Sequence, residues 1–106
     1  MIAIIAIASA VAATSVWAAT GNVSDIIQRG QRFDHGTLSL NRGDVVHFLN
    51  HDDVIHNINV IDSEGNPDDK GLQKPGEIIT EEFGSAGTYT VRCAIHPTMK
   101  MRITVQ

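Results

Sequence analysis

The chain has 106 residues, enough for one domain built around one core. Eight Lys and Arg against twelve Asp and Glu give a formal charge of −4, and no basic stripe with interleaved aromatics occurs, so nucleic acid is excluded as a partner. The single cysteine excludes an internal disulfide, and neither a glycine-rich phosphate loop nor an internal repeat is present.

Residues 1–19 are almost entirely apolar and carry no charge, and they end in Val16-Trp17-Ala18-Ala19. Small residues placed this way predict an export signal over residues 1–18, cleaved after Ala18, with the domain occupying residues 19–106. The alternative is a membrane anchor over residues 1–19. An alanine-rich run at the lower limit of a spanning length suits that role poorly.

After the leader, residues 22–28 alternate weakly, as a first edge strand would, and Arg29-Gly30-Gln31-Arg32 reads as a turn. Residues 37–40 (Thr-Leu-Ser-Leu) show the period of two expected of a half-buried strand. The turn cluster Asn41-Arg42-Gly43-Asp44 leads into residues 45–50, rich in β-branched and aromatic side chains. His51-Asp52-Asp53 interrupts that run and residues 55–61 resume it. Residues 62–76 form the longest polar insertion, with two prolines, three glycines and several acids, and are expected to be a surface loop. Residues 77–83 and 88–93 read as strands on either side of Gly84-Ser85-Ala86-Gly87, and residues 101–105 as the last strand. Nothing after the leader has useful helical periodicity. Short strands with turn signals at regular intervals predict an all-β, antiparallel sandwich or barrel.

Chemistry concentrates between the last two strands. Cys93, His96, Met99 and Met101 bring thiolate, imidazole and thioether within nine consecutive residues. Soft ligands of this kind suit copper. A Cys-x-x-His pair alone could equally be a buried cysteine beside a surface histidine, or a nucleophile with its base. No orienting third group or oxyanion site is apparent for the latter. A structural zinc site would need a second Cys or His pair, which is missing. His56 stands at the start of a strand, at a separation that a Greek-key sandwich closes. Two imidazoles, one thiolate and a weak axial methionine, either Met99 or Met101, make the ligand set of a blue-copper electron-transfer site. A metal-bound thiolate also accounts for an unpaired cysteine in an exported protein.

From about Leu38 to Val105 the chain resembles the cupredoxins, the small blue copper proteins that include plastocyanin and amicyanin. Residues 43–50 (Gly-Asp-Val-Val-His-Phe-Leu-Asn) resemble the family's strand before the first ligand. His56-Asn57 is similar to its His-Asn pair, and residues 87–93 (Gly-Thr-Tyr-Thr-Val-Arg-Cys) to its Gly-x-Tyr-x-x-x-Cys approach. The resemblance implies a Greek-key β-sandwich or barrel of about seven to eight strands and one type 1 copper ion held by His56, Cys93, His96 and Met99. A Cys-to-Met spacing of six positions, as in amicyanin, selects Met99, and the plastocyanin spacing of eight selects Met101. The register of the last strand favours Met99, because in both groups the axial methionine precedes the first inward residue of the terminal Val-x-Val by four. Ile103-Thr104-Val105 is similar to that motif, which leaves Met101 as the alternative axial ligand. Asn57 is expected to tie the two ligand-bearing loops together, partly through a Ser or Thr after the cysteine. That position is Ala94, so one contact around the site is expected to be lost.

The implied function is periplasmic electron transfer, with copper cycling between Cu(I) and Cu(II) and no substrate turnover, hence no enzyme. Redox proteins such as a dehydrogenase or a c-type cytochrome would dock near His96 and Pro97 on a monomeric carrier. Two other readings compete: a copper carrier or resistance protein that binds the metal without electron transfer, and a structural sandwich with a disulfide to another chain. His35, His47 and His51 are expected to be surface or structural residues, with a weak metal spot at His51, Asp52 and Asp53 as the alternative. Asp62, Glu64, Asp68 and Asp69 are read as a solvated loop or as acids that steer a basic partner.

Overall fold

A computed structural model describes residues 21–106. The leader expected over residues 1–18, and the start of the domain at residue 19, lie outside the described residues. Eight strands follow in order: β1 (Val23–Gln28), β2 (Thr37–Leu40), β3 (Asp44–Asn50), β4 (His56–Ile61), β5 (Pro67–Gln73), β6 (Ile78–Phe83), β7 (Gly87–Arg92) and β8 (Lys100–Val105). They form a three-stranded sheet ordered β1-β3-β6 and a five-stranded sheet ordered β2-β8-β7-β4-β5. No helix occurs among the described residues, and the all-β sandwich expected from the strand pattern is what the chain adopts.

Alternation builds the core. In β3 the side chains of Asp44, Val46, Phe48 and Asn50 are buried while their neighbours are half-buried. In β8 Met101, Ile103 and Val105 point inward, and Lys100, Arg102 and Thr104 point out. Ile26, Val46, Phe48, Ile58, Val91 and Ile103 are fully buried between the two sheets. Burial of this order is worth about 1.5–3 kcal/mol per large side chain.

Two expectations are corrected. The sandwich is not wholly antiparallel, because β1 pairs parallel with β3, and β2 parallel with β8. A period of two reports which face is buried and says nothing of strand direction. The polar insertion over residues 62–76 is not a loop throughout, because Pro67–Gln73 is an edge strand antiparallel to β4. Its main-chain pairing with β4 needs no apolar side chain, and six of its seven residues are at least partly exposed. Lys70 reaches from this edge to the other sheet, bonding Asp68 at 2.6 Å and Glu81 at 2.9 Å.

A β-bulge in β5 lies against the strand that starts at His56. Between Asn57 and Asn59 the pairing slips, so that Lys70 and Gly71 of β5 face the single residue Ile58. Gly71 has φ +94°, a left-handed conformation that residues with a Cβ rarely adopt. His56, Asn57 and Ile58 of β4 are all buried in succession, which a regular half-buried strand would not show.

Candidate metal centre

Three loops meet at one end of the sandwich. The turn between β3 and β4 ends in His56, the β7–β8 loop spans Cys93 to Met99, and the β1–β2 loop closes beside them. Asn50, at the end of β3, shapes the first of these. Its side-chain amide donates to the carbonyls of Val54 (2.9 Å) and Gln73 (3.0 Å), and its oxygen accepts from Asp52 N–H (2.9 Å). This buried side chain therefore supplements main-chain pairing in a segment that otherwise bonds through His51 N–H to the Gln28 carbonyl (2.9 Å).

His56 is fully buried, Cys93 is fully buried and His96 is half-buried. The two imidazoles meet edge to face, with ring centroids 4.9 Å apart. Their Nδ1 atoms lie 3.1 Å apart, and Cys93 Sγ lies 3.9 Å from His56 Nδ1 and 3.7 Å from His96 Nδ1. The three donor atoms all fall within 4.8 Å of one another. Among the described residues no other trio of His, Cys, Asp or Glu converges this way, so the weak metal spot at His51, Asp52 and Asp53 is not formed. Those residues have other partners: His51 Nδ1 is 3.3 Å from an Arg29 guanidinium nitrogen, and Asp52 bonds His56. His35 and His47 sit on Asp34 and Asp25 at the surface.

Asp52 is the residue that sequence reasoning missed. Its Oδ2 lies 2.6 Å from His56 Nε2, and its side chain is only 9% exposed. The same carboxylate accepts the main-chain N–H groups of Gly30 and of Gln31, the latter at 2.9 Å. Gly30 (φ 62°) and Gln31 (φ 56°) are both left-handed, which aims two successive amides at one anion. Burial alone would raise the Asp52 carboxyl, but the bonds from Gln31, His56 and Gly30 outweigh it and hold it below the ordinary carboxylate value. The consequence for His56 is a fixed tautomer. Nε2 donates to the carboxylate, so in the neutral ring Nδ1 keeps its lone pair and points toward Cys93 and His96. The only signal available in the sequence was an Asp four residues before a ligand candidate.

Asn57 links the start of β4 to the β7–β8 loop. Its main-chain N–H donates to Cys93 Sγ at 3.3 Å, and its side-chain oxygen accepts the Ala94 N–H at 3.1 Å. That bond uses the Ala94 main-chain amide, which any residue there would supply, and it does not replace the hydroxyl contact that Ala94 lacks. The other end of the amide donates to Asp69 (2.7 Å) and to the Gly71 carbonyl (3.1 Å) at the bulge.

The β7–β8 loop folds back on itself. Met99 N–H donates to the His96 carbonyl (2.9 Å), and Cys93 N–H to the Met99 carbonyl (3.2 Å). Met99 is buried at the site end of β8, on the same face as Met101, Ile103 and Val105. Met101 belongs to the hydrophobic core and pairs with Val91, one inward step, about 7 Å, deeper than Met99.

The donor chemistry fits copper. Two neutral nitrogen donors and one sulfur, in a buried pocket with a thioether at its edge, match the soft, three-plus-one preference of a type 1 site. Comparison with known proteins agrees. Residues 22–106 match the family model of copper binding proteins, plastocyanin/azurin family. The methylamine utilization protein MauL of Methylorubrum extorquens is 33% identical over 63 residues, covering 59% of this chain and 55% of that protein. The chain thus spans about half the length of that curated relative. A reduced amicyanin mutant superposes with a TM-score of 0.73 at 21% identity, covering 80% of this chain and 83% of that one. A purple cupredoxin from Nitrosopumilus maritimus does so with a TM-score of 0.70 at 24% identity, covering 78% and 99%. At those identities the two structures speak for the shared fold, and the family model for membership. The chain belongs to the plastocyanin/azurin family of copper binding proteins, the cupredoxins.

Proposed function

We propose that the protein is a periplasmic electron carrier in which His56, Cys93, His96 and Met99 hold one type 1 copper ion. The convergence of two imidazole Nδ1 atoms and a buried cysteine sulfur within 4.8 Å carries this reading. Copper, when bound, supplies a one-electron couple between Cu(I) and Cu(II). The chain supplies the frame. Cys93 joins the site to β7, and its sulfur accepts an amide N–H from Asn57, a contact that suits a thiolate. Asp52 keeps the His56 ring from turning, and the main-chain bonds of Met99 tie it into the loop that carries Cys93 and His96. A site so braced has similar geometry in both oxidation states, which is the structural condition for fast electron transfer. His96 is the one partly exposed member of the set, beside exposed Ile95 and Pro97, so its outer edge is the port for a redox partner such as a dehydrogenase or a c-type cytochrome. The apolar leader over residues 1–18 supports export.

The rival reading, a copper carrier that hands its ion on, calls for an open site. Voltammetry of the copper-loaded protein in the presence of bicinchoninate, a Cu(I) chelator, separates the two. An electron carrier gives a reversible one-electron wave and keeps its copper through repeated cycles. Loss of copper to the chelator on each reduction would overturn the electron-transfer reading in favour of the carrier.

A further inference from the structure

Charge is distributed unevenly over this acidic protein. On the outer face of the five-stranded sheet Arg92 and Lys100 stand directly opposite each other in register, and Arg102 is opposite Thr90 one pair further on. All three are exposed, and among the described residues none takes part in an ion pair. Like charges facing each other across two strands disfavour the pairing. Arg92 immediately precedes Cys93 and Lys100 immediately follows Met99, so the two cations form the neck of the β7–β8 loop. The nearest acid on that face is Asp69, two strands away, about 10 Å. Its carboxylate is already engaged by Asn57 and by Gly71 N–H. A shallow hollow beside the neck is lined by Asn59, Ile61, Arg92, Cys93, Ala94 and Pro97, and Ile95 stands 47% exposed at the loop.

The acids gather elsewhere. Asp62 and Glu64 lie in the turn after β4, a whole strand of about 20 Å from His56. Asp68, Glu81 and Glu82 border the same far end, where a second hollow is lined by Asp62, Asp68, Glu81 and Glu82. The loop end also holds the acids Asp34, Asp52, Asp53 and Glu77, whose hydrogen bonds leave their charge in place, but the cations Arg29, Arg32 and Lys74 stand in the same loops. Arg92 and Lys100 are therefore a local cationic patch at the neck of the copper loop on an acidic protein.

We propose that Arg92, Lys100 and Arg102, together with the apolar Ile95 and Pro97, form a docking face for a redox protein whose own contact surface is acidic. This rests on the electron-transfer reading above and runs against the alternative in which Asp62, Glu64, Asp68 and Asp69 steer a basic partner rather than forming a solvated loop. Asp62, Glu64 and Asp68 lie away from the port and would turn an acidic partner toward the basic side; Asp69 lies nearer, two strands from Arg92.

The test uses the copper-loaded protein and an anionic oxidant, hexacyanoferrate(III), whose rate of oxidising Cu(I) is followed by stopped flow against ionic strength. The net charge of −4 would repel this probe and give a rate that rises with salt. A local positive field gives the opposite: the rate is expected to fall about three- to tenfold between low and physiological salt. The triple variant Arg92→Glu, Lys100→Glu, Arg102→Glu should reverse the slope, and Asp62→Asn with Glu64→Gln should leave it negative. A wild-type rate that rises with salt, on a protein with an intact copper band, would overturn the docking face and leave the electron-transfer reading standing. A protein that takes up no copper as a thiolate complex would remove both. Sedimentation with phosphatidylglycerol vesicles should leave the protein in solution. Co-sedimentation that the triple variant loses would reassign the face to anionic lipid and overturn the proposal.

Discussion

Replacing Asp52 by Asn keeps the size of the side chain and removes its charge, and this isolates what the carboxylate does for His56. In the structure the two oxygens of Asp52 accept three N–H groups, from His56, Gly30 and Gln31. An Asn offers one oxygen. If that oxygen stays on His56, its amide group faces the Gly30 N–H, donor against donor. Hydrogen bonds to charged groups are worth about 1.5–3 kcal/mol, and this one is largely shielded from water. Released at His56 alone, that corresponds to a loss of roughly 10- to 150-fold in copper(II) affinity, in line with the 10- to 100-fold cost typical of removing such a partner. The carboxylate makes the imidazole a better donor to the more highly charged ion, so Cu(II) should lose more than Cu(I). Each tenfold difference between them raises the reduction potential by about 59 mV. Competition titration with a Cu(II) chelator and voltammetry read the two effects, with the exposed neighbour Asp53→Asn as a control expected to change neither. An Asp52→Asn protein that folds normally and matches the wild type in both affinity and potential would refute the positioning role of Asp52.

The axial ligand can be separated from the core. Met99→Gln should alter the visible spectrum and lower the potential, whereas Met101→Gln should leave both nearly unchanged and cost about 1–3 kcal/mol in chemical denaturation, because it buries an amide among core side chains. The reverse outcome would hand the axial role to Met101. Acid stability provides another check. At Asp34 burial opposes ionisation, but bonds from His35 and the Ile27 N–H hold the carboxyl below its ordinary 3.8. A carboxyl lowered on folding contributes stability that is complete above its unfolded value and is lost as pH falls through its folded one. The metal-free protein should therefore lose stability below about pH 4 in urea titrations, and Asp34→Asn should flatten that dependence while lowering stability at neutral pH.

Much of the fold was legible because alternation of buried and exposed residues is a direct imprint of a half-buried sheet. Residues 45–50 and 101–105 show it plainly, and the register of Ile103 and Val105 favours Met99 over Met101 as the axial ligand. Two features had no such imprint. The edge strand Pro67–Gln73 presents almost no apolar residue to the core, so its sequence carried only turn-forming composition. Strand direction in the β1–β3 and β2–β8 pairs is set by the connections between sheets, which side-chain periodicity does not record. At the site, Cys93, His96 and His56 were recoverable from residue type and spacing. The role of Asp52 was hidden because its partners, Gly30 and Gln31, donate main-chain groups from a turn some twenty residues earlier. At Ala94 the missing hydroxyl was legible, whereas the main-chain bond to Asn57 that holds the loop there leaves no mark on residue type.

The most direct measurement is titration of the purified protein with copper(II), following absorption and the free thiol together. The expected result is an intense visible thiolate-to-copper band that saturates at one ion per chain, with Cys93 no longer reactive to a thiol reagent. The band should vanish in Cys93→Ser and shift or weaken in His56→Ala and His96→Ala. A wild-type protein that is folded, with Cys93 reduced, and that develops no such band would contradict the proposed copper site.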